Sequence, residues 1–147
     1  ELAKKTIETL NMVGTLAVEM FVTDEGEVLV NEAAPRPHNS GHQTINANNT
    51  SQYEQHLRAI LGLPLGSTAI IKPSVMVNLL GEEGHIGPAV YEGLDELLAI
   101  QGSNIFLYGK RITKPHRKMG HVTVLGDDLD DLKRKVQLVK EVIKVKA

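Results

Sequence analysis

Two neighbouring runs of strand-like sequence constrain the fold most. In the first, TLAVEMFV (residues 15–22), a period of two would place alternate side chains on opposite faces of a strand. The second is EVLVNEA (27–33). The turn signal TDEG (23–26) lies between them. Such an arrangement predicts an antiparallel β-hairpin. Because helical segments occur on both sides of it, we predict an α+β fold with an antiparallel sheet.

Helical patterns flank the hairpin. Residues 1–11 carry apolar side chains at helical spacing, and SQYE (51–54) is a capping box that predicts the start of a second helix. Gly62 and Pro64 are expected to end that helix. The stretch between the hairpin and this second helix, residues 35–49, has no period and is rich in Pro, Asn and Gly, which predicts a loop.

The character of the sequence changes around GLPLGSTA (62–69), and we predict two domains, one over residues 1–70 and one over 71–147. The second is expected to be small and rich in strands, with a terminal helix capped by Asp127 or Asp128 and continuing through Ile143. Its predicted strands are PSVMVNLLG (73–81), NIFLYG (104–109) and HVTVLG (121–126), and VYEGLDELLAI (90–100) is a predicted short helix with a weak point at Gly93.

Composition excludes several classes of protein. The 147 residues are 41% hydrophobic, which is enough for a core. No apolar run approaches the roughly 18 residues of a membrane-spanning helix, so no membrane partner is predicted. The absence of cysteine excludes disulfides and thiolate metal sites and fits a reducing, cytoplasmic compartment. A net charge of −2 with 3% aromatic residues gives no nucleic-acid-binding signature.

The first residues are unusual for the start of a protein. The stretch ELAKKTIETL (1–10) has no initiator Met and no signal-peptide pattern, and its sequence is that of a helix already under way. We therefore expect the chain to be the C-terminal piece of a longer protein.

Two carboxylates on the hairpin are candidate metal ligands. Glu19 lies among apolar residues in the first strand, and Glu32 ends the second. A two- or four-residue loop would put them on the same face, whereas a three-residue loop without a bulge would put them on opposite faces. Two adjacent carboxylates repel each other unless a cation such as Mg²⁺ lies between them. The alternative is a pair of solvated glutamates.

The segment NEAAPRPHNSGH (31–42) concentrates binding chemistry directly after the second strand. Arg36 offers a planar fork for phosphate or carboxylate, and His38 can donate, accept or act as a base near neutral pH. Gly41 permits close backbone approach or a positive φ. The alternative is an ordinary surface loop. Zinc is not predicted. The i,i+4 spacing of His38 and His42 brings two side chains together only on a helix, and this segment is predicted to be a loop. Further donors and acceptors come from Asn39, Ser40 and His42.

A local basic stretch, GKRITKPHRKMGH (109–121), stands out in a slightly acidic chain. No Asp or Glu occurs between Glu96 and Asp127, so the segment suits a phosphate or another small anion. A solvated hairpin tip is the alternative. His121 is expected to open the following strand. The basic side chains are Lys110, Arg111, Lys114, Arg117 and Lys118.

Together these motifs resemble the C-terminal half of the 5-(carboxyamino)imidazole ribonucleotide synthases, ATP-grasp ligases of purine biosynthesis. The resemblance runs over residues 14–121, and its specific part is NEAAPRPHNSGH followed by SQYEQHLRAI (51–60). The sister formate-using glycinamide ribonucleotide transformylases are also similar. The stretch PSVMVNLLG and the basic segment favour the synthases.

The resemblance implies an activity and its cofactors. Family members use ATP to activate bicarbonate as carboxyphosphate, and the 5-amino group of aminoimidazole ribonucleotide is then carboxylated, with release of ADP and phosphate. ATP and Mg²⁺ are the implied cofactors, and a homodimer is possible. Residues 1–70 would be the C-terminal part of an ATP-grasp domain, and 71–147 the small C-terminal domain of the carboxylase ATPase subunit.

The resemblance also implies residue roles. Glu19 and Glu32 correspond to Mg²⁺ ligands. His116 stands where the family more often has Gly. The family's remaining ATP-binding residues lie upstream, so we expect these 147 residues alone to be inactive. The implied catalytic residues are Arg36, His38 and Asn39, and the implied substrate-binding residues are His38, Asn39, Ser40, Lys110, Arg117 and Lys118.

Three other functions are left open by the residues. One is the formate-dependent transformylase. A second is a non-catalytic anion-binding or dimerisation module. The third is a phosphate-binding regulatory domain in which only the basic segment works.

Overall fold

The computed structural model describes residues 1–147 as two compact units, residues 1–69 and 70–147. Both contain helices and antiparallel strands, which confirms the predicted α+β class. The first unit contains α1 (Leu2–Thr9), β1 (Ala17–Val22), β2 (Val28–Ala34), α2 (Thr44–Ala47) and α3 (Gln52–Ile60). The second contains β3 (Ser74–Leu80), β4 (Gly87–Pro88), β5 (Val90–Glu92), α4 (Leu94–Leu98), β6 (Ser103–Leu107), β7 (Ile112–Thr113), β8 (Lys118–Leu125), α5 (Leu129–Val142) and β9 (Lys144–Lys146).

The predicted hairpin is present as β1 and β2. Val22 pairs with Val28, so residues 23–27 form the connecting loop. The Thr23 N–H donates to the Glu27 carbonyl at 2.9 Å, and the Gly26 N–H donates to the Thr23 carbonyl at 2.9 Å. Gly26 has φ 83°, a left-handed conformation that glycine adopts at little cost.

The prediction of an irregular loop over residues 35–49 is partly wrong. The segment contains a 3₁₀ turn, Asn39–Gly41, and the one-turn helix α2. Local side-chain bonds stabilise both: the Ser40 N–H donates to His38 Nδ1, and the Thr44 hydroxyl donates to the Gly41 carbonyl. Such bonds offer the backbone partners without any hydrophobic period, so a search for periodicity misses them.

The capping motif at the start of α3 is half formed. Ser51 Oγ accepts a hydrogen bond from the Glu54 N–H at 3.2 Å, which confirms the predicted N-cap. The Glu54 carboxylate pairs instead with Arg58, at 2.9 and 2.6 Å from its Nε and Nη2. The helix therefore begins where predicted, with one of the two reciprocal bonds of a capping box.

The first unit buries few hydrophobic side chains. Only Ala34 and Ala47 among its apolar residues are buried. The large apolar side chains of α3, Tyr53, Leu57 and Ile60, are exposed, and so are those of the hairpin. Hydrogen bonds between loop and helix therefore carry much of the local order around the candidate site. The exposed hairpin residues are Met20, Phe21, Val22, Val28, Leu29 and Val30.

The second unit has a hydrophobic core around a three-stranded antiparallel sheet of order β3-β8-β6. The central strand, β8, is buried from Met119 to Val124, and α5 packs against β3 and β8. Asp128 caps α5 by accepting from the N–H groups of Asp130 and Asp131 at 2.9 Å each. The core consists of Leu79, Leu97, Met119, Val122, Val124, Leu132, Val139, Ile143 and Val145.

Three predictions for the second unit are wrong. The segment predicted as one helix begins with β5, and Gly93 (φ 78°) is the cap of α4 rather than a weak point inside a helix. Ile143 lies just beyond α5, in extended conformation, and leads into β9. His121 lies in the middle of β8 instead of opening it. Pairing of β5 with β9 joins residues over 50 positions apart, so local periodicity could not reveal it.

None of the helices has the length and apolar character needed to span a lipid bilayer.

Candidate functional site

Glu19 and Glu32 lie directly opposite each other on the hairpin. The register shifts by one between Glu19 and Met20, which leaves Asn31 as the extra residue of a β-bulge. With the five-residue loop and no bulge, Glu19 would pair with Asn31, and Glu32 would lie on the other face. The structure thus resolves the question that the turn left open. Directly opposite side chains are about 4.5–5.5 Å apart at Cβ.

His38 adds an imidazole to this pair of carboxylates. Its Nε2 lies 3.4 Å from Glu19 Oε1. Its Nδ1 accepts from the Ser40 N–H at 3.4 Å and lies 2.9 Å from Ser40 Oγ. Because Nδ1 accepts, the proton of the neutral ring lies on Nε2, facing Glu19. The His38 side chain is only 15% exposed, so the ring is held beside the hairpin rather than in solvent.

The two carboxylates fit a magnesium ion that shares its coordination with a ligand. The structure contains no group of three or more His, Cys, Asp or Glu residues placed to hold a metal by themselves. Glu19 and Glu32 supply two hard oxygen ligands, which is the protein contribution typical of Mg²⁺ bound also to phosphate oxygens and water. The donor set therefore matches a nucleotide-associated Mg²⁺ better than a closed metal site. The roles of these residues stay predictions.

Arg36 and Asn39 are close to His38 in the chain but make other contacts. The exposed Arg36 side chain donates from Nη1 to the Pro37 carbonyl at 3.1 Å. Asn39 begins the 3₁₀ turn, and its carbonyl accepts from the His42 N–H at 3.2 Å. The structure joins only His38 and Ser40, of the predicted loop residues, to the carboxylate pair. The predicted roles of Arg36 and Asn39 remain predictions.

Gln52 also contacts the candidate site, and the sequence analysis did not include it. Its amide binds both the N–H and the carbonyl of His38, each at 2.8 Å. As a capping box, the SQYE motif predicts a helix cap and gives no indication of a contact with the preceding loop. Its second residue occupies the first turn of α3, where a long polar side chain can reach back toward the preceding loop, and that position is the signal that could have indicated it.

The predicted phosphate-binding residues of the second unit lie at one end of the β6–β8 hairpin. Lys110 Nζ donates to the Lys118 carbonyl at 2.5 Å and lies 5.5 Å from the centre of the Tyr108 ring. Arg117 Nη1 donates to the Ile112 carbonyl at 2.7 Å. The Lys110 side chain therefore contacts the backbone of Lys118, which follows Arg117 in the chain. The role of Lys110 and Arg117 in phosphate binding stays a prediction.

Comparison with known proteins identifies the family. The ATP-grasp domain model matches residues 1–53, and the phosphoribosylaminoimidazole carboxylase C-terminal domain matches residues 74–135. The N5-carboxyaminoimidazole ribonucleotide synthase of Bacillus subtilis is 51% identical over 131 residues, which are 89% of this chain and 33% of that protein. The chain belongs to this synthase family. It spans about a third of the length of the curated synthases that it matches.

Solved synthase structures share the fold. The Thermotoga maritima N5-carboxyaminoimidazole ribonucleotide synthetase superposes with a TM-score of 0.94 at 53% identity, covering 99% of this chain and 41% of that one. The Aspergillus clavatus synthase, solved with ADP and 5-aminoimidazole ribonucleotide, gives 0.75 at 36% identity, with 88% of this chain and 35% of that one covered. Both likenesses extend through the two units.

His116, where the family resemblance implies a glycine, has a backbone conformation that favours glycine. His116 has φ 61°, in the left-handed region. Its N–H donates to the Gly81 carbonyl at 3.0 Å, so the turn keeps this shape although the residue has a side chain. Its Nε2 lies 2.7 Å from Glu83 Oε1, with both side chains about three-quarters exposed. The left-handed turn at His116 is therefore formed, with backbone strain.

Two further histidines of the synthase motifs, His42 and His121, are packed against aromatic rings. His121 is buried, stacks on Phe106 with 4.8 Å between ring centres, and accepts or donates at Nδ1 with the Tyr108 hydroxyl at 2.9 Å. His42 stacks on Tyr53, whose hydroxyl lies 3.1 Å from His42 Nδ1. Burial raises the pKa of Tyr53 above its usual 10.0, so this hydroxyl stays protonated at neutral pH.

Proposed function

We propose that this chain is part of an ATP- and bicarbonate-dependent ligase that carboxylates the 5-amino group of 5-aminoimidazole ribonucleotide in purine biosynthesis, through carboxyphosphate. The observation that carries the proposal is the direct pairing of Glu19 with Glu32 next to His38, in a chain of the synthase family. In this proposal residues 1–70 are the C-terminal part of an ATP-grasp domain, residues 71–147 are the small C-terminal domain, and the enzyme works in the cytoplasm.

In the proposed enzyme, Glu19 and Glu32 would hold Mg²⁺ together with the bound nucleotide. When bound, Mg²⁺ offsets the negative charge of the phosphoryl group that is transferred. Unpaired carboxylates this close would repel each other, and neither has a Lys or Arg partner among the ion pairs of the structure. The His38 ring, with Nε2 at 3.4 Å from Glu19 Oε1, is the proposed neighbour that orients that carboxylate.

The loop after β2 is the proposed binding site for carboxyphosphate and the reacting amine. In the carboxylation step the amino nitrogen bonds to the carboxyl carbon, the bond from that carbon to the phosphate oxygen breaks, and the amine loses a proton. Arg36 is exposed and presents a guanidinium that can meet the anionic phosphate in a bidentate geometry. His38, Asn39 and Ser40 supply further donors and acceptors beside it.

Lys110, Arg117 and Lys118 are the proposed ligands of the ribonucleotide 5′-phosphate. Lys110 and Arg117 each donate to a backbone carbonyl, which holds their positive ends at the same hairpin end. A phosphate would exchange these neutral acceptors for charged ones, and charge-assisted bonds are about twice as strong. No acidic side chain occurs from residue 97 to residue 126 to compete for them.

ADP release by the full-length protein tests the proposal. The assay contains Mg²⁺ and ATP and compares aminoimidazole ribonucleotide plus bicarbonate with glycinamide ribonucleotide plus formate. Stimulation by the first pair alone supports the synthase, whereas stimulation by the second pair would make the protein a transformylase. No turnover with either pair would indicate a non-catalytic binding module. We also propose that the 147 residues alone are inactive, and ATP turnover by them would contradict this.

A further inference from the structure

We propose that Gln52 is a positioning residue of the carboxylation site: its side-chain amide fixes the backbone of His38 and thereby the approach of the His38 ring to Glu19. This inference rests on the proposed function. Gln52 is the first residue of α3, directly after the Ser51 cap, and it is half-buried.

The amide of Gln52 binds His38 through both of its polar ends. Gln52 Oε1 accepts from the His38 N–H at 2.8 Å, and Gln52 Nε2 donates to the His38 carbonyl at 2.8 Å. The second Nε2 proton faces His42 Nδ1 at 3.1 Å. A two-point contact of this kind replaces the backbone partner that a strand neighbour would provide, in a segment that has no strand neighbour. It fixes the extended conformation of His38, with φ −123° and ψ 156°.

The surrounding residues leave room for the amide and tie the loop to α3. A Cβ at Gly41 would meet the Gln52 side-chain oxygen and carbon, so glycine is required for this approach. The Gln52 backbone N–H donates to Thr44 Oγ1 at 2.9 Å, and the Thr44 hydroxyl donates to the Gly41 carbonyl at 2.6 Å. Thr44 therefore links the 3₁₀ turn, through the Gly41 carbonyl, to the first turn of α3.

The consequence for the site is orientation of a single ring. The 3.4 Å separation between His38 Nε2 and Glu19 Oε1 depends on where the His38 backbone lies. No other side chain binds both backbone groups of His38. A displacement of a reacting or orienting group by about 1 Å can cost about a hundredfold in rate. Loss of the Gln52 amide should therefore lower kcat far more than loss of a comparable amide contact away from the site. The two losses should lower stability by similar amounts.

Gln55 is a matched control on the same helix. Its amide makes the same two-point contact with another residue: Nε2 donates to the Gly66 carbonyl at 2.7 Å, and Oε1 accepts from the Gly66 N–H at 2.9 Å. Gln52 and Gln55 are both half-buried. Neither hydrogen bond of Gln55 involves a candidate site residue. Replacing either amide by Met keeps the length of the side chain and removes a comparable set of bonds.

The experiment compares Gln52→Met and Gln55→Met in the full-length protein. We expect similar decreases in Tm, but a kcat for ribonucleotide-stimulated ADP release that falls about a hundredfold in Gln52→Met and less than about threefold in Gln55→Met. The KM for ATP should change little in either variant. Equal kcat values in the two variants, with the parent protein active, would overturn the inference.

A second substitution keeps the test decisive if Gln52→Met does not fold. Gln52→Glu retains an oxygen that can accept from the His38 N–H, but it loses both N–H donors and places a carboxylate next to the His38 carbonyl. We expect kcat to fall at least about tenfold more than in Gln55→Glu, and equal losses would overturn the inference. If the parent protein itself shows no stimulation by the ribonucleotide and bicarbonate, the proposed function fails instead.

Discussion

Glu19 and Glu32 are direct cross-strand partners because Asn31 is an extra residue in β2. From Val22 to Met20 the paired residues follow one register, and from Glu19 to Ala17 they follow another, shifted by one. The bulge places both carboxylates on one face of the hairpin although the five-residue loop alone would separate them. Bulges are common next to active sites because they re-aim a side chain. In the proposed enzyme, this one gives the two carboxylates a common ligand.

Lys110 and Arg117, in the segment between β6 and β8, should determine the affinity for the ribonucleotide. Lys110→Ala combined with Arg117→Ala removes two charge-assisted donors, and we expect KM for aminoimidazole ribonucleotide to rise at least about tenfold, with KM for ATP nearly unchanged. Steady-state ADP release by the full-length protein measures both. Lys4→Ala with Lys5→Ala on α1 removes the same charge elsewhere and should change neither. A rise confined to KM for ATP would contradict the assignment.

His116→Gly should stabilise the protein. His116 has φ 61°, and a non-glycine residue in this region costs on the order of 1 kcal/mol. The exposed pair with Glu83 offsets little of that cost. We expect the free energy of unfolding to rise by about 1 kcal/mol in His116→Gly and not in His116→Ala, which loses the same pair but keeps a Cβ. Denaturant titration measures both. Lower stability of the glycine variant would contradict the strain argument.

The fold could be predicted from sequence where the signal is local. The hairpin, the Ser51 cap, a cap at Asp127 or Asp128 and the strands β3, β6 and β8 follow from periodicity and capping chemistry, whereas the order of those strands in the sheet does not. The pairing of β5 with β9 could not be predicted, because it depends on the last three-residue strand meeting a distant one.

The candidate site was only partly predictable for the same reason. The types of residue that could bind a metal and an anion are readable from the sequence. Their relationships are not: the Asn31 bulge has no sequence signal in an otherwise regular strand, and the contact between His38 and Glu19 spans 19 positions. Gln52 carries its function through the His38 backbone, which no side-chain pattern reveals.

Asp131 should make the stability of the protein depend on pH in acid. A hydrogen bond from Lys135, and then one from Arg134, lowers the pKa of Asp131 below its usual 3.8. A group whose pKa is lowered on folding stabilises the folded state above its unfolded pKa, and this contribution is lost as pH falls through the folded pKa. We therefore expect Asp131→Asn to lower Tm at pH 7 and the difference from the parent to shrink below about pH 4.

Thermal unfolding at pH 7 and pH 3 checks this prediction. Asp130→Asn is the matched control, because Asp130 lies 3.6 Å from Lys133 and is 94% exposed, so its loss should change Tm little at either pH. A Tm difference for Asp131→Asn that is the same at both pH values would mean that the ion pairs with Arg134 and Lys135 do not contribute to stability.

The central claim is that Glu19 and Glu32 act together, and a double-mutant cycle on Mg²⁺-dependent ADP release by the full-length protein tests it most directly. We predict that Glu19→Gln and Glu32→Gln each lower kcat about a hundredfold, or about 3 kcal/mol. The kcat of the double variant should be little lower than that of the less active single variant. Glu27→Gln, in the loop of the same hairpin, should have nearly parental activity. Near-parental activity of Glu32→Gln, or losses that simply multiply in the double variant, would contradict the account.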